Sequence, residues 1–157
     1  MMGQNKISFL GMGILLFGLL VPNFKGLSQT VNLGELTVLP GTVVSTYFDL
    51  DNRESGKLIN DGDLYLFASL NNDGEISFTE GEEGLTRFVG KSGIQQIMGT
   101  SLSRLKNVLF DNVHDQNAFH LFGDVSIAGV SRFVQGIVLA DGNGGLMLFE
   151  KGGSHTQ

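Results

Sequence analysis

The sequence predicts an all-β protein, a short right-handed parallel β-helix, with a β-sandwich as the alternative. Three observations carry this. Asn60-Asp61-Gly62-Asp63-Leu64-Tyr65-Leu66 recurs twelve residues later as Asn72-Asp73-Gly74-Glu75-Ile76-Ser77-Phe78, each copy a turn followed by alternating apolar residues that turn one strand face toward a core. The kernel Gly-x-apolar-x-apolar also stands at Gly34, Gly123 and Gly144, and direct repetition favours a solenoid over a sandwich, whose sequential strands need not resemble one another. Beyond the N-terminal segment, no window of eleven or more residues shows a 3.6-residue period. The expectation is about 5 coils of roughly 20–25 residues each.

Taken in order, Met1 to Ser28 reads as a secretory signal peptide. Lys6 gives the positive end, Ile7 to Val21 is an uncharged apolar run, Pro22 breaks it, and Gly26-Leu27-Ser28 offers small residues for cleavage before Gln29. The fifteen-residue run is short for a bilayer span, which needs about 20 residues. Export with cleavage is therefore expected, leaving residues 29–157 as the solenoid domain and membrane contact only through the leader.

Thr30 to Tyr47 reads as two alternating stretches around the turn Pro40-Gly41, with Leu36 and Val38 before it and Val44 and Tyr47 after it as apolar positions. Asp49 to Gly56 is a polar, turn-rich segment. The twin phrase follows, its Asn-Asp-Gly turns suggesting the positive φ angles that Asn and Gly tolerate. Thr79 to Gly84 is a second acidic loop, and Leu85 to Val89 a short strand. In Lys91 to Gly99, Ile94 and Ile97 are the apolar positions, and Thr100 to Lys106 has the look of a short helical turn. Val108 to Phe110 leads into the turn Asp111-Asn112. Phe119, Leu121, Val125 and Ile127 share one face, with His120 and Asp124 on the other, and Phe133, Ile137, Leu139, Leu146 and Leu148 continue the series. The chain then ends at Gln157 without a recognisable cap, so the solenoid is expected to be covered there by a partner or to be the front part of something longer.

The chain has no Cys, which excludes disulfides, thiolate metal sites and a lipid-modified cysteine. After Ser28 it carries 8 basic and 16 acidic residues, a balance that argues against nucleic acid as a partner.

Residues 93 to 149 carry a recognisable order of phrases: Gln95-Gln96-Ile97-Met98-Gly99, then Leu105 to Asn112, then Phe119 to Ile127, then Phe133 to Val138. This order resembles the repeated coils of large adhesin-like β-helix surface proteins of the Bacteroidota, and the Asn-Asp-Gly strands upstream resemble their N-terminal region. The resemblance implies an exported protein at the cell surface or outside the cell, with the periplasm as the alternative. Many members use type IX secretion through a C-terminal sorting domain and are several times longer. It therefore implies a short or truncated N-terminal portion, whose export route is left open because no sorting domain stands before Gln157. No catalytic motif accompanies it.

One stretch has the oxygen spacing of a calcium loop. Ser69, Asn71, Asp73, Gly74, Ile76 and Glu80 match its positions except the first, where Ser replaces the usual Asp. Asn71, Asp73 and Glu80 are thus candidate calcium ligands. The flanks are strands rather than helices, and the same Asn-Asp-Gly turns the chain at Asn60 without the rest of the loop, so a repeat turn is the preferred reading and no cofactor is required. Asp49/Asp51/Glu54 and Glu80/Glu82/Glu83 are acidic clusters that read as solvated loops. Paired catalytic carboxylates would need a defined separation that spacing does not establish. His114, His120 and His155 have no metal-ligand spacing.

The function expected is that of a non-catalytic structural or adhesive surface segment, a stalk or spacer. Other copies or a longer surface protein would cover its open end, and surface polysaccharide is a further candidate partner. The alternatives are a carbohydrate-binding or polysaccharide-cleaving β-helix, which the absence of Trp and the two Tyr weigh against, and a gene remnant with no independent function.

Overall fold

Period-two alternation is realised as short strands that repeat in threes. A computed structural model describes residues 28–91, 93–114, 117–140, 142 and 144–157; the expected signal peptide, apart from Ser28, lies outside them. The first coil is β1 (Gln29–Asn32), β2 (Glu35–Val38) and β3 (Val43–Thr46). The second is β4 (Asp49–Asn52), β5 (Lys57–Asn60) and β6 (Asp63–Leu66), and the third β7 (Leu70–Asn72), β8 (Glu75–Ser77) and β9 (Leu85–Gly90). The fourth is β10 (Gln95–Met98), β11 (Ser103–Leu105) and β12 (Asn107–Asn112), and the fifth β13 (Phe119–Leu121), β14 (Val125–Ile127) and β15 (Val130–Gln135). The sixth is β16 (Val138–Leu139), β17 (Met147–Phe149) and β18 (Ser154–Thr156). Every strand pairs in parallel with the strand three places on, which makes three six-stranded sheets. The fold is a parallel β-solenoid, not a sandwich, and it has six coils rather than five.

The coil count differs from expectation because coil length is not constant. Partner residues in adjacent coils lie 18 apart at Leu58 and Ile76 but 27 apart at Ile76 and Ser103. The corners absorb the difference, and the strands stay short. The twin phrase is for this reason not two coils. Gly62 turns the chain from β5 into β6, and Gly74 turns it from β7 into β8. The phrase is a recurring corner, used at two different edges of the triangle.

Those corners also work differently from a positive-φ turn. Among the described residues, no non-Gly residue has positive φ, and neither Gly62 nor Gly74 does. A Cβ on Gly62 would collide with the carbonyl oxygens of Leu39 and Thr42, and one on Gly74 with those of Gly56 and Arg53. Glycine is required because stacked corners bring backbones together. Gly41, at φ 73° in the Pro40-Gly41 turn, does use the left-handed region.

Inside, the alternating apolar residues form one core running through Leu50, Leu58, Leu66, Leu70, Ile97, Leu121 and Ile127. Phe88, Phe110 and Phe133 stack down the third sheet with centroids 5.4 and 5.2 Å apart, and Phe119 meets Phe110 edge-on at 5.1 Å. Each buried ring removes apolar area worth about 2–3 kcal/mol, and each ring pair adds about 0.5–1.5 kcal/mol. Phe119, Leu121, Val125 and Ile127 are all buried, with His120 and Asp124 turned outward as expected.

Four local expectations are corrected. Thr100 to Lys106 holds no helical turn; β11 occupies it, with Ser103 and Leu105 inward under Val125 and Ile127. Tyr47 and Ile94 point out, at 70% and 45% exposure, while Thr46 and Gln95 take the inward places. In the last coil the frame is one residue off: pairing of Val125 with Met147 puts Met147 inward and leaves Leu146 and Leu148 outside. Val138 and Ala140 likewise pack on the core where Ile137 and Leu139 were expected. Alternation alone does not choose between two apolar frames, and the backbone register does.

Candidate functional site

The polar groups of the first sheet gather at the corner between the first and second sheets. Leu50 and Asn52 of β4 face inward, which puts Asp49 and Asp51 on the outer side, Asp49 exposed and Asp51 covered by its neighbours; Leu70 and Asn72 of β7 likewise put Asn71 on the outer side. Asn71 Nδ2 donates to Asp51 Oδ1 at 3.0 Å and to Asp73 Oδ2 at 3.0 Å. Arg53 pairs with Asp51 at 2.7 Å. Thr100, one coil on, donates its backbone N–H and its hydroxyl to Asp73 Oδ1 at 3.0 and 2.9 Å. Asp49 accepts the Ser69 N–H at 2.9 Å. The first acidic cluster and the Asn71/Asp73 turn are thus brought together, in a line of contacts across the second, third and fourth coils.

Beside this line lies an open cleft of about 1160 Å³, lined by Leu33, Arg53, Glu54, Ser55, Asp73, Thr100 and Ser101. It presents hydroxyls, a guanidinium and carboxylates, a set suited to hydrogen-bonding a hydroxylated or charged ligand. Hydrogen bonds from Thr100, backbone first and then hydroxyl, hold the Asp73 carboxyl below its ordinary pKa, and Asn71 and the charge of Arg53 act in the same direction. Glycoside hydrolysis needs one carboxyl kept protonated, and Asp73 is shifted the other way.

Of the three candidate calcium ligands, Asn71 turns its amide nitrogen toward Asp51 and Asp73, and Asp73 accepts bonds on both oxygens. Glu80 reaches Arg104 at 3.0 Å. These contacts tie the candidates to protein donors. Among the described residues, no group of three or more His, Cys, Asp or Glu is placed to hold a metal ion.

Arg104 is the centre of a second polar network. Its guanidinium holds Glu150 through two bonds of 2.7 and 2.9 Å and lies 4.5 Å from the centroid of the Phe78 ring. Ser126 donates its hydroxyl to the same Glu150 at 2.7 Å. The Arg104 bonds, then the Ser126 bond, pull the Glu150 carboxyl down to about 2. Glu83 accepts from Asn107 and lies 3.5 Å from Lys106, and its pKa is lowered, the Asn107 bond being the larger cause. The second acidic loop is therefore pinned to the fourth coil.

No family model, curated protein or solved structure matches the chain.

Sequence reasoning missed two features here. Glu150 stands 46 residues from Arg104, a partnership invisible until coil lengths are known. The other is a buried asparagine ladder, in which Asn32 Nδ2 donates to Asn52 Oδ1 and Asn52 Nδ2 to Asn72 Oδ1, both at 2.8 Å. Its signal was present, since the three asparagines are spaced by twenty residues.

Proposed function

We propose that this chain is an exported, non-catalytic structural or adhesive segment, a stalk or spacer at the cell surface of the adhesin-like kind. The observation that supports this reading most is how the outer polar groups are spent. Asp51, Asn71, Asp73 and Thr100 on one side, and Glu80, Arg104, Ser126 and Glu150 on another, bond from coil to coil along the axis. Such bonding stiffens a rod whose six coils rise about 24 Å from first to last. A solenoid of this kind extends by adding coils and offers a long lateral surface. The leader directs it out of the cell, and other copies or a longer surface protein are its partners there.

A second reading, polysaccharide binding, is favoured by the hydroxyl- and charge-lined cleft at Arg53, Ser55, Asp73 and Thr100. One experiment weighs both. Intact cells of the source organism are labelled with an antibody against the chain, and the purified chain is incubated with a panel of surface polysaccharides, scoring retention and release of reducing ends. Surface labelling without new reducing ends is expected. Label confined to lysed cells would refute export, and released reducing ends would refute the non-catalytic reading.

A further inference from the structure

We propose that the cleft beside Asp73 takes an amine-bearing polysaccharide, a hydroxylated chain that carries free ammonium groups. This rests on the polysaccharide reading of the same cleft and adds the charge and the hydrogen-bond polarity of its ligand. The cleft lies on the flank of the solenoid, where the first sheet turns into the second. Its wall comes from four successive coils: Leu33 from the first, Arg53 to Ser55 from the second, Asp73 from the third, and Thr100 with Ser101 from the fourth. Three coil steps make it about 14 Å long, more than one sugar ring can span.

The polarity of the wall is read from where its protons go. A hydroxyl has one proton to donate and two lone pairs, and all three hydroxyl protons here are committed. Ser55 Oγ donates to the Leu33 carbonyl at 2.9 Å, Thr100 Oγ1 to Asp73 Oδ1 at 2.9 Å, and Ser101 Oγ to the Asp73 carbonyl at 2.8 Å. These hydroxyls therefore offer lone pairs to an occupant. An ionised carboxylate has about four acceptor sites. Asp73 fills two on Oδ1 with Thr100 and one on Oδ2 with Asn71, which leaves Oδ2 able to accept once more. The exposed Glu54 carboxylate has no hydrogen-bond or ion-pair partner among the described residues. Of the lining side chains only Arg53 is a donor, and it spends part of its guanidinium on Asp51 at 2.7 Å. The occupant must bring the donors.

Charge narrows the choice further. Asp51 offsets Arg53, so Glu54 and Asp73 are the uncompensated charges of the wall, and the Thr100 and Asn71 bonds favour the ionised form of Asp73. An anionic chain would meet like charge in a protein that carries 16 acidic and 8 basic residues after Ser28. A neutral chain would leave both carboxylates without a counter-charge. A sugar chain suits the wall better than a lysine-rich peptide does. Its rings bring hydroxyls and amines along the whole length, whereas lysine holds its donors at the tip of an apolar stem, and Leu33 is the one apolar side chain of the lining.

Binding of the purified full chain is measured by calorimetry against a glucosamine oligomer, its N-acetylated counterpart, a galacturonate oligomer and oligolysine, all of equal length. The glucosamine oligomer is expected to bind about tenfold more tightly than the others. Glu54→Gln and Asp73→Asn should each weaken it about two- to fivefold. Glu82→Gln removes the same charge at the corner between the second and third sheets and should change nothing. Glu54→Gln breaks no bond of the fold, so its effect is read free of unfolding. Equal binding of the N-acetylated or galacturonate oligomer would overturn this inference and leave the polysaccharide reading standing. Oligolysine binding as tightly as the glucosamine oligomer would overturn the sugar assignment. Glucosamine binding untouched by both Glu54→Gln and Asp73→Asn would overturn the cleft as its place. Binding of none of the sugar oligomers would refute the polysaccharide reading, and this inference with it.

Discussion

Replacing Asn52 by Ala tests whether the buried asparagine ladder holds the early coils together. The Asn52 amide is fully buried. Its Nδ2 donates to Asn72 Oδ1 at 2.8 Å and to the Glu75 carbonyl at 3.0 Å, and its Oδ1 accepts from Asn32 at 2.8 Å. A fourth bond runs from Nδ2 to the Gly56 carbonyl at 3.3 Å, and alanine removes all four. Asn72 Oδ1 and the Glu75 and Gly56 carbonyls lose a donor, and Asn32 Nδ2 keeps only the Lys57 carbonyl at 3.3 Å. Each buried polar group left without its partner costs about 1–3 kcal/mol, so a total near 3–4 kcal/mol is expected. Asn71→Ala, on the outer side of the neighbouring strand β7, should cost about 0.5–1 kcal/mol. Urea unfolding followed by circular dichroism measures the difference. Because each coil touches only its neighbours, the loss should be local. Hydrogen exchange at Leu50 and Leu70 should accelerate about 100-fold, while Phe119 to Ile127 keep their protection. Equal costs for Asn52→Ala and Asn71→Ala, or uniform acceleration across all coils, would refute the ladder as the local tie.

Lowering the pH should loosen the last coil first. The Glu150 carboxyl lies at about 2 in the folded chain against an ordinary 4.5, so its contribution is complete above the ordinary value and is lost as the pH falls from there toward 2. Allowing for its partial exposure, about 1 kcal/mol is at stake, and Arg104→Ala should abolish this pH dependence in exchange measured at Met147 to Phe149. Gly84→Ala should destabilise by about 2 kcal/mol or more, because its Cβ would collide with the Asn60 carbonyl. Gly34→Ala, whose Cβ meets open space, should stabilise by about 0.5 kcal/mol through the unfolded chain, and thermal melts compare the two. Millimolar calcium should leave the unfolding midpoint unchanged while Asp73 stays bound to Thr100 and Asn71; a rise abolished by Asp73→Ala would restore the calcium reading.

The strands were legible in the sequence wherever one alternation frame was apolar and the other polar. Phe119-His120-Leu121 and Val125-Ser126-Ile127 leave no choice of face, and both were read correctly. Leu146-Met147-Leu148-Phe149 is apolar in both frames, and there the reading slipped by one residue. Asn-Asp-Gly was understood as a turn but not as an inward asparagine followed by a close-packed glycine, because turn chemistry explains the same letters on its own. The candidate site was legible in part. Asn71 and Asp73 were found through oxygen spacing, yet their partner Thr100 and the cleft beside them depend on a 27-residue step between coils that no local pattern announces. Arg104 and Glu150 were invisible for the same reason.

The distribution of charge along the axis gives the coils unequal roles. Of the 24 charged residues after Ser28, seventeen lie between Asp49 and Asp111, in the second to fourth coils. There they pair across strands and corners, as in Asp63 with Arg87 and Glu80 with Arg104. Solubility needs charge somewhere, and a chain protecting itself from edge-to-edge pairing would place some of it on the terminal strands. This chain places it at the waist. The first coil instead exposes Leu33, Leu39 and Val43, and the sixth exposes Ile137, Leu146, Leu148 and Phe149. The acidic excess of those coils works against two such solenoids packing side by side there.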